Sequence, residues 1–146
     1  MSPQSNFLLV NIIGGLAVLG SYAAGLGFFP EYRDDLWGGV RGTWKTTITT
    51  SMLLAAAGYL TFCYFALFRK GDYFFRINIY VEIPTATLLT VIFLSSAALW
   101  MPTSITYFLT GNGLWWFLTV IFLWITAISL VILTGIGSSP QSASLL

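Results

Sequence analysis

The chain has 146 residues, enough for one domain, with six Lys or Arg, five Asp or Glu and no His. Only 8% of its residues are charged and 57% are hydrophobic. A soluble domain has about 25% charged residues, so this composition excludes a water-soluble fold and indicates lipid as the solvent. The net charge of +1 excludes a basic surface for nucleic acid, and the absence of His removes the most common metal ligand and general base.

Four apolar runs are each long enough to cross about 30 Å of hydrocarbon as a helix, which takes about 20 residues. They cover residues 7–29, 47–68, 79–100 and 114–136. Each run is continuously apolar rather than alternating, which favours helices over the strands of a membrane barrel. The sequence therefore predicts an all-α polytopic integral membrane protein, a four transmembrane helix bundle in which residues 1–146 form a single membrane domain.

The first span has no basic segment before it and is longer than the apolar core of a signal peptide, which predicts a retained transmembrane helix. Lipid removes most of the hydrophobic drive between helices, so close packing depends on small side chains. Ala17, Ser21 and Gly25 recur every four residues and form a candidate helix-packing face.

The first loop, PEYRDDLWGGVRGTWK, is the richest polar segment of the chain. Pro30 suits a first helical turn, the acids after it suit a helix N-terminus, and the glycine pair Gly38-Gly39 would stop the helix. We expect a short interfacial helix here, with partner docking as the functional alternative.

The second span opens with TWKTTITTS, residues 43–51, which is rich in hydroxyl groups. We expect these hydroxyls to satisfy the start of the helix, and a hydrated vestibule or lipid-headgroup site is the alternative. Ser51 and Ala55 are candidates for helix packing. Cys63 lies in the apolar run and is interpreted as a packed small hydrophobic residue.

The third span contains Glu82, an acid with apolar neighbours on both sides, followed by Pro84. Proline is favoured in the first helical turn and an acid is stabilised at a helix N-terminus, so EIPT is a good helix start. Glu82 is therefore expected to be structural or paired with a basic residue such as Arg76. The functional alternative is a membrane-embedded carboxyl that binds a proton or cation. We expect this span to end at Met101-Pro102.

Gly111-Asn112-Gly113 precedes the fourth span, and the tail, residues 137–146, is expected to be mobile. We expect spans one to three to form a tight group and span four to pack through bulkier contacts. Tryptophans near the span ends are candidate interfacial anchors. They are Trp37, Trp44, Trp100, Trp115 and Trp116. Loops one and two carry three basic residues each, and the denser second loop favours cytoplasmic N- and C-termini.

Function is constrained mainly by exclusion, since the spans carry no catalytic pair, no phosphate loop and no metal-ligand spacing. The sequence therefore favours a non-enzymatic membrane protein, an accessory or assembly subunit or a self-associating scaffold. No cofactor is expected other than bound lipid, and the expected partners are membrane lipids and other membrane protein chains. The alternative is a small oligomeric transporter or channel that uses Glu82.

Overall fold

The computed structural model describes residues 3–68 and 85–137, and within these ranges the chain is all-α. Four long helices occur there. They are α1 (Pro3–Phe28), α2 (Thr43–Phe68), α3 (Thr85–Thr110) and α4 (Gly113–Gly137). Each is long and apolar enough to cross a membrane, which confirms the predicted all-α, multi-pass membrane architecture.

The first loop begins where α1 ends, because Pro30 has no amide hydrogen with which to continue the helix. Arg33 folds back over the end of α1, and its Nε and Nη2 atoms donate to the carbonyl of Leu26 at 2.9 and 2.6 Å. A cation there is also favoured by the helix dipole. The helix expected in this loop takes the form of two single-turn 3-10 helices, Pro30–Tyr32 and Asp35–Trp37.

The third helix corrects a sequence-based boundary, because α3 continues through Pro102 to Thr110 rather than ending at Met101-Pro102. Proline is tolerated inside membrane helices where hydroxyl side chains bond the carbonyls of the interrupted turn. The hydroxyls of Thr103 and Ser104 both donate to the carbonyl of Trp100, at 2.9 and 2.8 Å. The carbonyl that loses its backbone donor at Pro102 is that of Ala98, four residues earlier, so these hydroxyl bonds lie in the next turn and accompany the continuation of the helix.

The connection between α3 and α4 is a two-residue turn, Gly111-Asn112, and so it is much shorter than the loop that the predicted span ends implied. Gly111 adopts a left-handed conformation with φ of 65°, which ends α3 at low steric cost. The Oδ1 atom of Asn112 accepts a 3.0 Å hydrogen bond from the amide of Leu114, an N-cap for α4.

The packing centre is α3, which contacts α1 on one side and α4 on the other. Most buried residues of the described ranges lie on it. They are Ala86, Thr87, Thr90, Leu94, Ser96, Ala97, Met101, Thr103, Ser104 and Ile105. Among the described residues, α2 makes only sparse contacts with the other helices. The expectation of a tight group of spans one to three is therefore wrong within the described residues, since α1 and α4 both pack on α3 while α2 contacts α1 and α3 only near its C-terminal end.

Hydroxyl groups join α3 to α4 at three places. The longest contact is that of Ser104 Oγ with Thr119 Oγ1, at 3.5 Å, and the other two are shorter pairs. Ser96 Oγ lies 2.8 Å from Thr126 Oγ1, and Thr119 Oγ1 donates to Thr103 Oγ1 at 3.0 Å. The pairs are seven residues apart on each helix, so both lie on one antiparallel seam. Hydroxyl groups can bond across membrane helices in this way. Span four was expected to pack through bulkier contacts. Two of its threonines contribute to this interface, and Leu133 is its most deeply buried large side chain.

Glycine allows α1 to approach α3 closely. A Cβ atom added at Gly14 would lie 2.6 Å from Cδ1 of Leu94, and one added at Gly25 would lie 2.7 Å from Cγ of Met101. These distances are too short for a side chain without movement of the neighbour. The expectation that small side chains of α1 allow close helix packing is thus correct for its contact with α3.

Candidate functional site: the uncovered segment of the second helix

Among the described residues, those of the first two thirds of α2 are the least covered. Every residue from 43 to 58 is exposed except Lys45, which is half-buried, and no residue in the most apolar window of α2 is buried. By contrast, a large share of the corresponding window of α3 is buried. We call residues 43–58 the uncovered segment.

The uncovered segment also differs from the other helices in the side chains that it exposes. The large exposed residues of α4 include Leu123, Trp124 and Val131, which suit contact with lipid tails. Ten of the sixteen residues of the uncovered segment are threonine, serine, alanine or glycine, and α2 has the lowest hydropathy of the four helices. The segment also exposes larger side chains, which are those of Trp44, Ile48, Met52, Leu53 and Leu54. Small residues of this kind are enriched at contacts between membrane helices.

Four hydroxyls of this segment are satisfied within α2. Thr47, Thr49 and Thr50 each donate to the carbonyl four residues earlier, at 2.8 to 3.0 Å, and Ser51 donates to Ile48 at 2.8 Å. These bonds fit the structural interpretation of the threonine-rich opening rather than a hydrated vestibule. They leave a helix surface of short side chains that another helix can approach.

The other end of α2 is attached to α1 by a polar latch that the sequence reasoning missed. The Tyr59 hydroxyl donates to Oδ1 of Asn11 at 2.7 Å, and Cys63 Sγ lies 3.3 Å from the same oxygen. The amide nitrogen of Asn11 donates in turn to the carbonyl of Phe7 at 2.8 Å. A single asparagine inside an apolar run was the signal that could have identified this contact, because polar side chains join membrane helices.

An apolar cluster surrounds the latch. Cys63 is buried with Phe7 and Ala86, and the aromatic ring of Tyr59 packs 5.1 Å from that of Phe93 on α3. Cys63 is thus a packed residue, as the sequence predicted, with an additional polar contact. The cluster attaches α2 to both α1 and α3, but only near the C-terminal end of α2.

The small-residue stripe of α2 does not face the side that holds the latch. At about 100° per residue, Ser51, Ala55 and Gly58 lie within about 60° of one another. Tyr59 and Cys63 lie about a quarter turn around the helix from that stripe. The latch therefore leaves the stripe uncovered within the described part of the chain.

The three residues of the predicted packing face of α1 differ in their burial. Gly25 is buried against α3, Ser21 is half-buried with its hydroxyl bonded to the carbonyl of Val18 at 2.8 Å, and Ala17 is exposed. Ser51 and Ala55, the predicted face of α2, are both exposed. The structure does not bring these two faces together.

The five tryptophans predicted as interfacial anchors also differ in their positions, since four lie near helix ends and one does not. Trp44 lies in the first turn of α2, and Trp115 and Trp116 lie in the first turn of α4, while Trp37 ends the second 3-10 helix. Trp100 lies ten residues before the end of α3, so it does not mark a helix end as its selection assumed. Its indole N–H donates to the Tyr22 hydroxyl at 2.9 Å, a contact between α1 and α3. Interfacial anchoring by the other four stays a prediction.

Glu82 and Arg76 lie outside the described residues, as do Pro84 and residues 138–146 of the tail. The hypotheses of a Glu82 ion pair, of a functional carboxyl and of tail mobility therefore stay predictions.

Comparison with protein-family models, with curated proteins and with solved structures gives no match to this chain.

Proposed function

We propose that this protein is a non-enzymatic subunit of a membrane complex, and that the small-residue stripe of α2 is its contact with another transmembrane helix. The observation that carries the proposal is the exposure of residues 43–58 in a chain whose other three described helices pack together. The partner is a different membrane chain, for which this protein is an accessory or assembly subunit, or a second copy, which makes it a self-associating scaffold.

The physical reason lies in the solvent. A helix surrounded by lipid tails gains nothing from alanine, glycine and threonine on its surface, since lipid is as apolar as leucine. The same residues allow two helix backbones to approach closely, which increases van der Waals contact. The hydroxyls of the stripe are already bonded to their own helix, so association there leaves no unsatisfied donor.

A photo-crosslinking amino acid at position 55, in the membrane that contains the protein, tests this proposal. We expect Ala55 replacement to yield a defined protein adduct, whose mass distinguishes a second copy from a different chain. The matched control is replacement of Leu53, which is 68% exposed and lies on the opposite side of the same helix at nearly the same depth. Lipid adducts alone at position 55, or equal protein adducts at both positions, would contradict the proposal.

The transporter or channel alternative depends on Glu82, and no described residue adds an observation in its favour. Flux measurements in liposomes separate the two functions. The subunit proposal expects the same ion leakage from wild-type and Glu82→Gln vesicles as from empty vesicles, whereas flux that Glu82→Gln abolishes would favour transport.

We also propose that the N- and C-termini and the loop between α2 and α3 face the cytoplasm. The support is the dense basic sequence of that loop, with Arg69, Lys70 and Arg76, against three basic residues mixed with acids in the first loop. Accessibility of a C-terminal tag to a protease added outside intact cells tests this orientation, and protection is the expected result.

A further inference from the structure

The first loop contains a polar cleft whose charges are only partly matched. The cleft has a volume of about 560 Å³ and lies between the second 3-10 helix and the start of α2. It is lined by Asp34, Asp35, Gly39, Val40, Arg41, Gly42 and Lys45. Because α1 ends at Phe28 and α2 begins at Thr43, a loop that joins two spanning helices lies at the membrane surface.

One pair of these charges is satisfied internally. Lys45 Nζ donates to Asp34 Oδ1 at 3.0 Å and lies 5.3 Å from the centroid of the Trp37 ring. These contacts fix Lys45 on one wall of the cleft and neutralise Asp34.

The remaining two charges are one cation and one anion. In the described part of the chain, neither Arg41 nor Asp35 makes a side-chain hydrogen bond or an ion pair, and both line the cleft. The charge of Arg41 acts on Asp34, but more weakly than that of Lys45. A ligand that complements Arg41 and Asp35 carries one negative and one positive group. The positive end of the α2 dipole, next to Arg41, adds to the attraction for the negative group.

We infer that this cleft binds the headgroup of a phospholipid with a primary ammonium group, such as phosphatidylethanolamine. Arg41 binds the phosphate with its planar, multidentate guanidinium, and Asp35 accepts hydrogen bonds from the ammonium. A quaternary ammonium has no N–H to donate, and an anionic headgroup such as glycerol phosphate leaves Asp35 without a cation. The first loop therefore discriminates between lipids by charge pairing, independently of the partner proposed for α2.

The turns around the cleft hold these groups in place without large side chains. Gly39 and Gly42 adopt positive φ values of 86° and 60°, which a residue with a side chain rarely adopts. The backbone on both sides of Arg41 therefore bends sharply. It leaves room at the cleft wall, because no heavy atom lies within 4 Å of a Cβ added at either glycine.

Native mass spectrometry of the full chain from nanodiscs with equal amounts of phosphatidylethanolamine and phosphatidylglycerol tests the inference. We expect the wild type to retain phosphatidylethanolamine preferentially. Asp35→Asn reduces that preference about two- to fivefold, the range expected for one exposed ion pair, whereas Arg41→Gln weakens the retention of both lipids. The matched control is Glu31→Gln, which removes an exposed acid of the same loop that does not line the cleft.

Equal retention of both lipids by the wild type, or an unchanged preference in Asp35→Asn, overturns the inference. Soluble glycerophosphoethanolamine carries the same charges without acyl chains. If this compound does not displace the retained lipid at equal concentration, the ligand is a membrane lipid. If it does displace the lipid, that assignment is overturned. Circular dichroism confirms that each variant keeps the helical content of the wild type.

Discussion

The side chain of Tyr59 in α2 donates a 2.7 Å hydrogen bond to Oδ1 of Asn11 in α1, and this bond lies at the end of α2 that contacts the rest of the chain. The segment of α2 before Tyr59 is uncovered. The pair therefore separates the helix into an attached part and a part that is open to a neighbour. An amide and a phenol inside a membrane-spanning region are costly unless they bond each other, so each residue depends on the other.

Tyr59→Phe is expected to destabilise the attachment of α2 by about 0.6 kcal/mol, because interhelical side-chain hydrogen bonds in membranes average that value. The measurement is denaturant unfolding in mixed micelles, combined with Asn11→Leu in a double-mutant cycle. Tyr32→Phe is the control, since the Tyr32 ring stacks 5.4 Å from that of Phe108 and no hydrogen bond involves its hydroxyl in the described structure. Fully additive effects of the Tyr59 and Asn11 changes would show that the bond is absent.

Gly14→Ala is expected to separate α1 from α3, because the new Cβ would lie 2.6 Å from Cδ1 and 2.8 Å from Cβ of Leu94. The Cβ of Leu94 cannot move by rotation of its side chain, so the backbones must shift, at a cost of about 1–3 kcal/mol. Gly15→Ala is the neighbouring control, with no atom within 4 Å of its added Cβ. Equal unfolding midpoints for the two variants would contradict the close approach of these helices.

Ser96→Ala and Thr126→Val are expected to be coupled, since their hydroxyls lie 2.8 Å apart across α3 and α4. A double-mutant cycle should give a coupling free energy of about 0.6 kcal/mol, with a maximum of about 1.7 kcal/mol. Thr106→Val provides the comparison, because its hydroxyl bonds the carbonyl of Pro102 in its own helix. If the coupling free energy between Thr126 and Thr106 were as large as that between Thr126 and Ser96, the proposed contact across the interface would be wrong.

The carboxyl group of Asp34 is expected to titrate below its usual range. The hydrogen bond and charge of Lys45 lower the pKa of Asp34, and Arg41 adds a smaller effect. Because the pKa is lower in the folded chain, the contribution of this pair to stability is complete above the unfolded pKa and is lost as the pH falls through the folded pKa. Carbon NMR of the carboxyl in nanodiscs measures it directly.

Lys45→Met should raise the pKa of Asp34 towards its ordinary value, whereas Lys45→Arg should keep it low. Identical titration midpoints in the wild type and Lys45→Met would show that the pair does not form in the membrane-bound protein.

The helices themselves could be predicted from the sequence because a continuous apolar run of this length has few stable forms in lipid. The end of α3 could not, because proline usually interrupts a helix in water, whereas α3 continues through Pro102 to Thr110.

Helix pairing was the least predictable feature. The motif of small residues at four-residue spacing marks Ser51 and Ala55 as readily as Gly25, yet of these three only Gly25 meets another of the four described helices. The motif indicates that a helix surface can pack closely against another helix, but it does not identify which helix. Thr119 and Thr126 were undervalued for a related reason, since a threonine inside a strongly apolar span resembles a helix-satisfied hydroxyl until its partner is known.

Association through α2 is tested most directly by the mass of the protein particle released from its membrane in polymer nanodiscs without detergent. One chain has a mass of 16.1 kDa. We predict a particle that contains at least one further polypeptide, lost when Ala55→Leu places a bulky side chain on the stripe. A wild-type particle with a single 16.1 kDa chain and lipid alone would contradict the proposed role.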